Sequence, residues 1–172
     1  DFAAWGYGAG VPMGGQLNGA CEQMGQVSIL VKASKDPMGA NLDRIQIVKG
    51  WMDQGEHRER IYDVALSDGR RVGKDGQVLE VGNTVDIQSA TYANTIGAAE
   101  LGTVWTDRDF DPEQQAFYYA RVLEIPTPRW TTYDAAAFEI PPPHNVPRAV
   151  QQRVYSSPVW YEPSEEGAGS DC

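Results

Sequence analysis

The sequence predicts a mainly β fold, an antiparallel β-sandwich with long loops and little helix. Three observations predict it. Short runs of alternating apolar and polar residues recur along the chain. Turn signals separate them, among them Asp53-Gln54-Gly55, Asp68-Gly69 and Asp75-Gly76. Glycine (18) and proline (11) are plentiful enough to favour turns and short strands over a helical bundle.

Residues 1–25 carry glycine at positions 6, 8, 10, 14, 15, 19 and 25 and predict a loop with one short strand. Nothing in this segment anchors it, so it reads as a passage from a domain upstream. Residues 26–163 carry the sandwich. Val27, Ile29 and Val31 alternate with Ser28, Leu30 and Lys32 in a largely buried strand, and Lys35-Asp36-Pro37-Met38-Gly39 turns the chain. Arg44 to Trp51 is a second strand, with Ile45, Ile47 and Trp51 on one face and Arg44, Gln46 and Val48 on the other. Arg58 to Leu66 returns as its hairpin partner. Val78–Val81, Val85–Ala90 and Leu101–Trp105 are further strands.

Gln115 to Glu124 gives the strongest signal. Phe117, Tyr119, Arg121 and Leu123 face one way, and Ala116, Tyr118, Ala120 and Val122 the other. Asp134–Phe138 predicts one helical turn, which Pro141-Pro142-Pro143 follows as an extended connector. Ala149–Tyr155 is the last strand, and residues 164–172 read as a flexible tail. About seven short strands that must bury their inner faces make a sandwich whose aromatics lie mostly in the core.

The 172 residues suit one domain, and 41% hydrophobic content is enough for a core. The net charge of -10, with no cluster of Lys or Arg beyond Arg70-Arg71, repels phosphate backbones and anionic membrane surfaces at long range. Nucleic acid is therefore excluded as the main partner. No apolar run approaches the ~20 residues that span a bilayer, which excludes membrane insertion by a helix. Cys21 and Cys172 do not make a disulfide framework. The chain opens without Met and without a signal-like segment, so a fragment or a processed product is expected.

No catalytic residue and no metal ligand can be named. His57 and His144 lack partners at metal-ligand spacing. Asp107-Arg108-Asp109-Phe110-Asp111 resembles the start of a calcium loop, but Pro112 stands where glycine is needed and Tyr118 where glutamate is needed. Asp111 with Pro112 and Gln114 suits the start of a turn or helix better. Gly6-Tyr7-Gly8-Ala9-Gly10 is not a phosphate loop, because Met13 replaces its third glycine. Ser156-Ser157-Pro158 has no nucleophile-elbow context, and Cys21 has no basic neighbour to activate it.

Two places can bind a ligand. Arg129-Trp130, which follow Pro126 and Pro128, join a cation to an aromatic ring and suit an anionic or sugar-like group. The competing role is structural, with Trp130 plugging the sandwich end and Arg129 pairing with an acidic loop, and this is the preferred account. Lys35, beside Asp36 in the first long turn, carries the same two options.

Several stretches together resemble one family. They include Gly10-Val11-Pro12-Met13-Gly14-Gly15, then Lys32-Ala33-Ser34-Lys35-Asp36-Pro37, and Asn41 to Trp51. Tyr62-Asp63-Val64-Ala65, Val104-Trp105-Thr106-Asp107 and Asp109-Phe110-Asp111-Pro112 continue the pattern. Ala116 to Tyr133 and Ser156-Ser157-Pro158-Val159-Trp160-Tyr161 complete it. These are similar to the final third of a large bacterial family of unknown-function proteins, whose front half resembles the PHP (polymerase and histidinol phosphatase) hydrolases. The resemblance implies a metal-dependent hydrolase of phosphoesters or related esters, with a divalent metal held in the front half. No stretch here matches the family's Gly-Asp-x-His-x-His or Thr-Asp-His motifs. The catalytic domain of the same protein is then the expected partner, and residues 1–172 alone are expected to be inactive.

The Met13, Gly14 and Gly15 loop would line the mouth of that active site, since glycine permits close approach to a ligand. Family members carry cysteines before the Val104-Trp105 segment; Tyr92 and Gly102 stand in the comparable region here, so that disulfide is absent. Exported relatives imply the bacterial periplasm or envelope. The alternatives are a glycan- or ligand-binding β-sandwich module and a structural subunit.

Overall fold

A computed structural model of the chain describes residues 2–18 and 25–163. It is a β-rich fold of several sheets with little helix. Its spine is β3 (Leu42–Asp53), paired on one side with β4 (Glu56–Leu66) and on the other with β6 (Ala116–Glu124). The sheet runs on through β10 (Val159–Glu162) to β1 (Gln16–Asn18), and β9 (Arg153–Tyr155) also pairs with β6. All these pairings are antiparallel except β1 with β10, which is parallel. A second sheet, β2 (Ser28–Ser34) with β5 (Glu100–Thr106), packs over its inner face. A small ribbon joins β7 (Thr127–Pro128) to β8 (Ala149–Val150).

The alternation in the sequence explains how the layers meet. Ile47, Tyr118 and Tyr161 from the large sheet bury against Val27, with Ile29, Val31, Trp105 and Phe110 closing around them. Leu42, Ile45 and Val122 form the adjoining cluster. Each such side chain contributes about 1.5–3 kcal/mol on leaving water. Gln54 and Gly55, both at positive φ, make the two-residue turn between β3 and β4, as a tight hairpin requires. Gly50 sits mid-strand because the Phe117 ring lies flat where a Cβ would stand.

Four expectations need correction. The glycine-rich start holds a helix, α1 (Phe2–Ala9), rather than loop. Gly6 brings that helix close to Leu30 on the outer side of β2, where an added Cβ would stand 2.6 Å from Leu30 Cδ2. Residues Val78–Val81 and Val85–Ala90 are not strands; they hold the single bridges Val72↔Val78 and Asp86↔Thr91. Here side chains hold the backbone: Arg70 donates to the Leu79 carbonyl, and the Asp86 carboxylate accepts the Gln88 N–H.

The second helix, α2, spans Trp130–Phe138 rather than starting at Asp134. Burial of Thr131, Thr132 and Ala135, and the Thr132 hydroxyl bond to the Arg148 carbonyl, override the poor helix propensity of the two threonines. The expected strand Ala149–Tyr155 is split into β8 and β9, because Gln151 turns its amide onto Asp43 and the Glu124 carbonyl, and β10 follows it as a further strand. Among the described residues, no helix is long and apolar enough to cross a membrane.

Candidate functional site

Position 49 continues the inward series Ile45, Ile47 on β3, so Lys49 enters the core with its charge. It is 3% exposed. Its ammonium donates to the Asp107 carboxylate at 2.6 Å and to the Asp109 carbonyl at 2.9 Å. The Tyr118 hydroxyl donates to the same Asp107 oxygen at 2.8 Å. Burial, and then the bond to Asp107, raise the Tyr118 hydroxyl far above the usual phenol range. Nearer the surface, Arg60 and the Tyr62 hydroxyl both donate to Asp109, and Tyr62 is pushed up to about 12, chiefly by burial. The sequence signal was available: a lysine at an inward position of an apolar strand needs an acid opposite it.

A second buried carboxylate, Asp43, lies beneath the long loop. Arg70 donates to its carboxylate at 2.5 Å and to its carbonyl at 2.8 Å, while Arg44 and Gln151 take the other oxygen. The donor sets of these carboxylates do not suit a metal ion. Asp107 is neutralised by Lys49, Asp43 by Arg44 and Arg70, and Asp109 by Arg60. Among the described residues, no three His, Cys, Asp or Glu side chains gather to hold one. His57, opposite Met52 at the start of β4, and His144, in the proline connector, are both exposed.

The residues singled out in the sequence fall in three places. Met13, Gly14 and Gly15 form a turn docked on β10: the Gly14 N–H donates to the Pro158 carbonyl, and the Trp160 N–H to the Gly15 carbonyl. Met13 projects outward, 67% exposed. Lys35 spends its ammonium on the carbonyls of Asp36, Pro37 and Gly39, which makes it a clamp on its own turn. That turn borders a cleft of about 160 Å³ shared with Glu124 and Arg153. Arg129 and Trp130 open α2. Trp130 does not plug the sandwich end, since it is 66% exposed, and Arg129 has no ion pair among the described residues. Cys21 and Cys172 lie outside the described residues.

Glu124 supports a prediction. Burial, with Asp36 adding to it, raises its pKa above 4.5, against an opposing pull from Lys35. In the folded chain Glu124 keeps its proton to a higher pH than in the unfolded chain. The folded state thus binds more protons in that window, and stability falls as pH rises through it. Glu124→Gln is expected to be more stable than wild type at pH 7, by less than about 1 kcal/mol at this partly solvated site. Urea melts at pH 4 should show the difference gone.

One further feature escaped the sequence reading. On the outer face of the large sheet, Trp160, Phe117, Tyr119 and Tyr155 form a row, with successive ring centroids 5.3, 6.3 and 6.1 Å apart.

The fold and these sites define a β-rich domain whose buried ionisable groups are paired internally. A family model described as a protein of unknown function (DUF3604) matches residues 1–163, and the chain belongs to that family. No curated protein matches the chain, and neither does any solved structure.

Proposed function

We propose that this chain is the β-rich part of a bacterial, PHP-like metal-dependent hydrolase. In this reading it supports a catalytic domain carried elsewhere in the same protein and lines that domain's active site. The observation that supports it is the apolar cover left open around α2, where Trp130, Tyr133, Phe138 and Ile140 are all exposed. Apolar side chains gathered in one place mark a contact surface. The internal pairing of Lys49, Asp107, Asp43 and Asp109 also leaves the catalytic chemistry to another domain.

The test is turnover of p-nitrophenyl phosphate by the parent protein with and without Mn²⁺, beside residues 1–172 alone. Metal-dependent turnover by the parent and none by residues 1–172 is expected. A parent inactive with every divalent metal tried would count against the reading. A second reading, a glycan-binding module, is favoured by the aromatic row on the outer face, whose rings can stack on sugar faces. Retention of residues 1–172 on a polysaccharide without metal would favour it.

A further inference from the structure

We infer that the N-terminus of α2 is an oxyanion site, built to take the phosphoryl group of a small organic ester. The inference rests on the hydrolase reading above and names its substrate class.

The register of the β7–β8 ribbon carries it. Thr127 faces Val150 and Pro128 faces Ala149, and the Arg129 N–H donates to the Arg148 carbonyl at 2.8 Å. Arg129 and Arg148 therefore stand directly opposite each other, an arrangement of like charges that destabilises a ladder. Among the described residues neither joins an ion pair, in a chain with 24 acidic and 14 basic residues. Two arginines on facing residues, with no ion pair among the described residues, offer an anion two guanidinium groups, and the planar fork of arginine fits a phosphoryl group bidentately.

The helix supplies independent support. Arg129 is its N-cap residue and makes no side-chain cap bond, and the first turn contains no acid. The Thr132 N–H turns back onto the Arg129 carbonyl at 2.8 Å, while the positive end of the helix dipole meets no acid in the first turn. Two polar atoms here are buried without a partner, Nε of Arg129 and Oγ1 of Thr131, and Thr131 is only 8% exposed. Buried polar groups are normally satisfied, so these two call for an acceptor.

The adjoining cleft says what else the ligand carries. It encloses about 230 Å³ between Trp130, Thr131, Ile140 and Pro141–Pro143. Those walls suit an apolar organic group. Asp134 also lines the cleft and disfavours a second negative charge, so the organic part carries none. The global charge of -10 opposes anions at long range. Close-range, bidentate contacts are what a small phosphate ester can make and a polyanion lying along the surface cannot.

The test titrates inorganic phosphate and phenyl phosphate into residues 1–172, following ¹⁵N amide shifts. Both are expected to bind, the ester several-fold more tightly. R129M/R148M should weaken both by at least about tenfold. W130A should remove the ester's advantage and leave inorganic phosphate unchanged. No binding to wild type, or binding that survives R129M/R148M, overturns the inference. Equal affinity for the two probes overturns the ester assignment. The single variants R129M and R148M, checked for unchanged amide spectra, guard against loss of fold. No metal and no turnover enter this measurement, so its failure leaves the hydrolase reading intact, and failed turnover leaves this site intact.

Discussion

Asp107→Ala is expected to cost about 3–5 kcal/mol, the range for removing one partner of a buried ion pair. The substitution leaves the Lys49 ammonium in the core with only the Asp109 carbonyl, and it strips the Tyr118 hydroxyl of its acceptor. It also removes the carboxylate oxygen that holds the Asp109 N–H at 3.0 Å, so the segment after β5 loses its anchor. Lys49→Met alone strands Asp107 and should cost a similar amount. The double change, Lys49→Met with Asp107→Asn, should recover much of the loss, because no uncompensated charge remains. Urea unfolding of wild type, Asp107→Asn, Lys49→Met and the double variant gives the coupling energy directly. Additive single effects would mean that the pair does not act as a unit.

Gly97→Ala is expected to cost about 3 kcal/mol, from two sources of similar size. Gly97 has φ +78°, where a Cβ costs roughly 1–2 kcal/mol. That Cβ would also lie 2.7 Å from Ile125 Cγ2, 2.8 Å from Asn41 Cβ and 2.9 Å from the Leu42 carbonyl oxygen. Two of these neighbours belong to the chain leading into β3, and overpacking of this kind costs about 1–3 kcal/mol. Gly76→Ala separates the contributions. Gly76 has the same φ, +78°, and nothing within 4 Å of its added Cβ, so only the backbone strain should appear. Equal thermal shifts for the two variants would exclude a packing contribution at Gly97.

What the sequence made legible follows from which interactions set each element. On β6 the two faces alternate as expected: Ala116, Tyr118 and Val122 are buried and Phe117 and Tyr119 lie outside. The hairpin turn at Gln54-Gly55 was equally plain, because its backbone needs positive φ twice. The loop between β4 and β5 was misread because β-prone residues there are held by Arg70, Asp86 and Asn41 side chains instead of a ladder. The helical start at Trp130 was hidden for a related reason, since its threonines are paid by tertiary burial rather than local propensity. Of the candidate site, Arg129 and Trp130 were visible. Arg148 was not, because only the β7–β8 register sets it opposite Arg129.

The order of the large sheet leaves β4 as one of its two edge strands, and residues 56–60 of that strand are Glu, His, Arg, Glu and Arg. A strand from another molecule could extend the sheet only by laying its backbone beside this charged row, with Arg60 already committed to Asp109 and Arg58 to Asp53. Arginine and glutamate along a rim oppose such strand addition. Association through the β4 rim is thereby disfavoured.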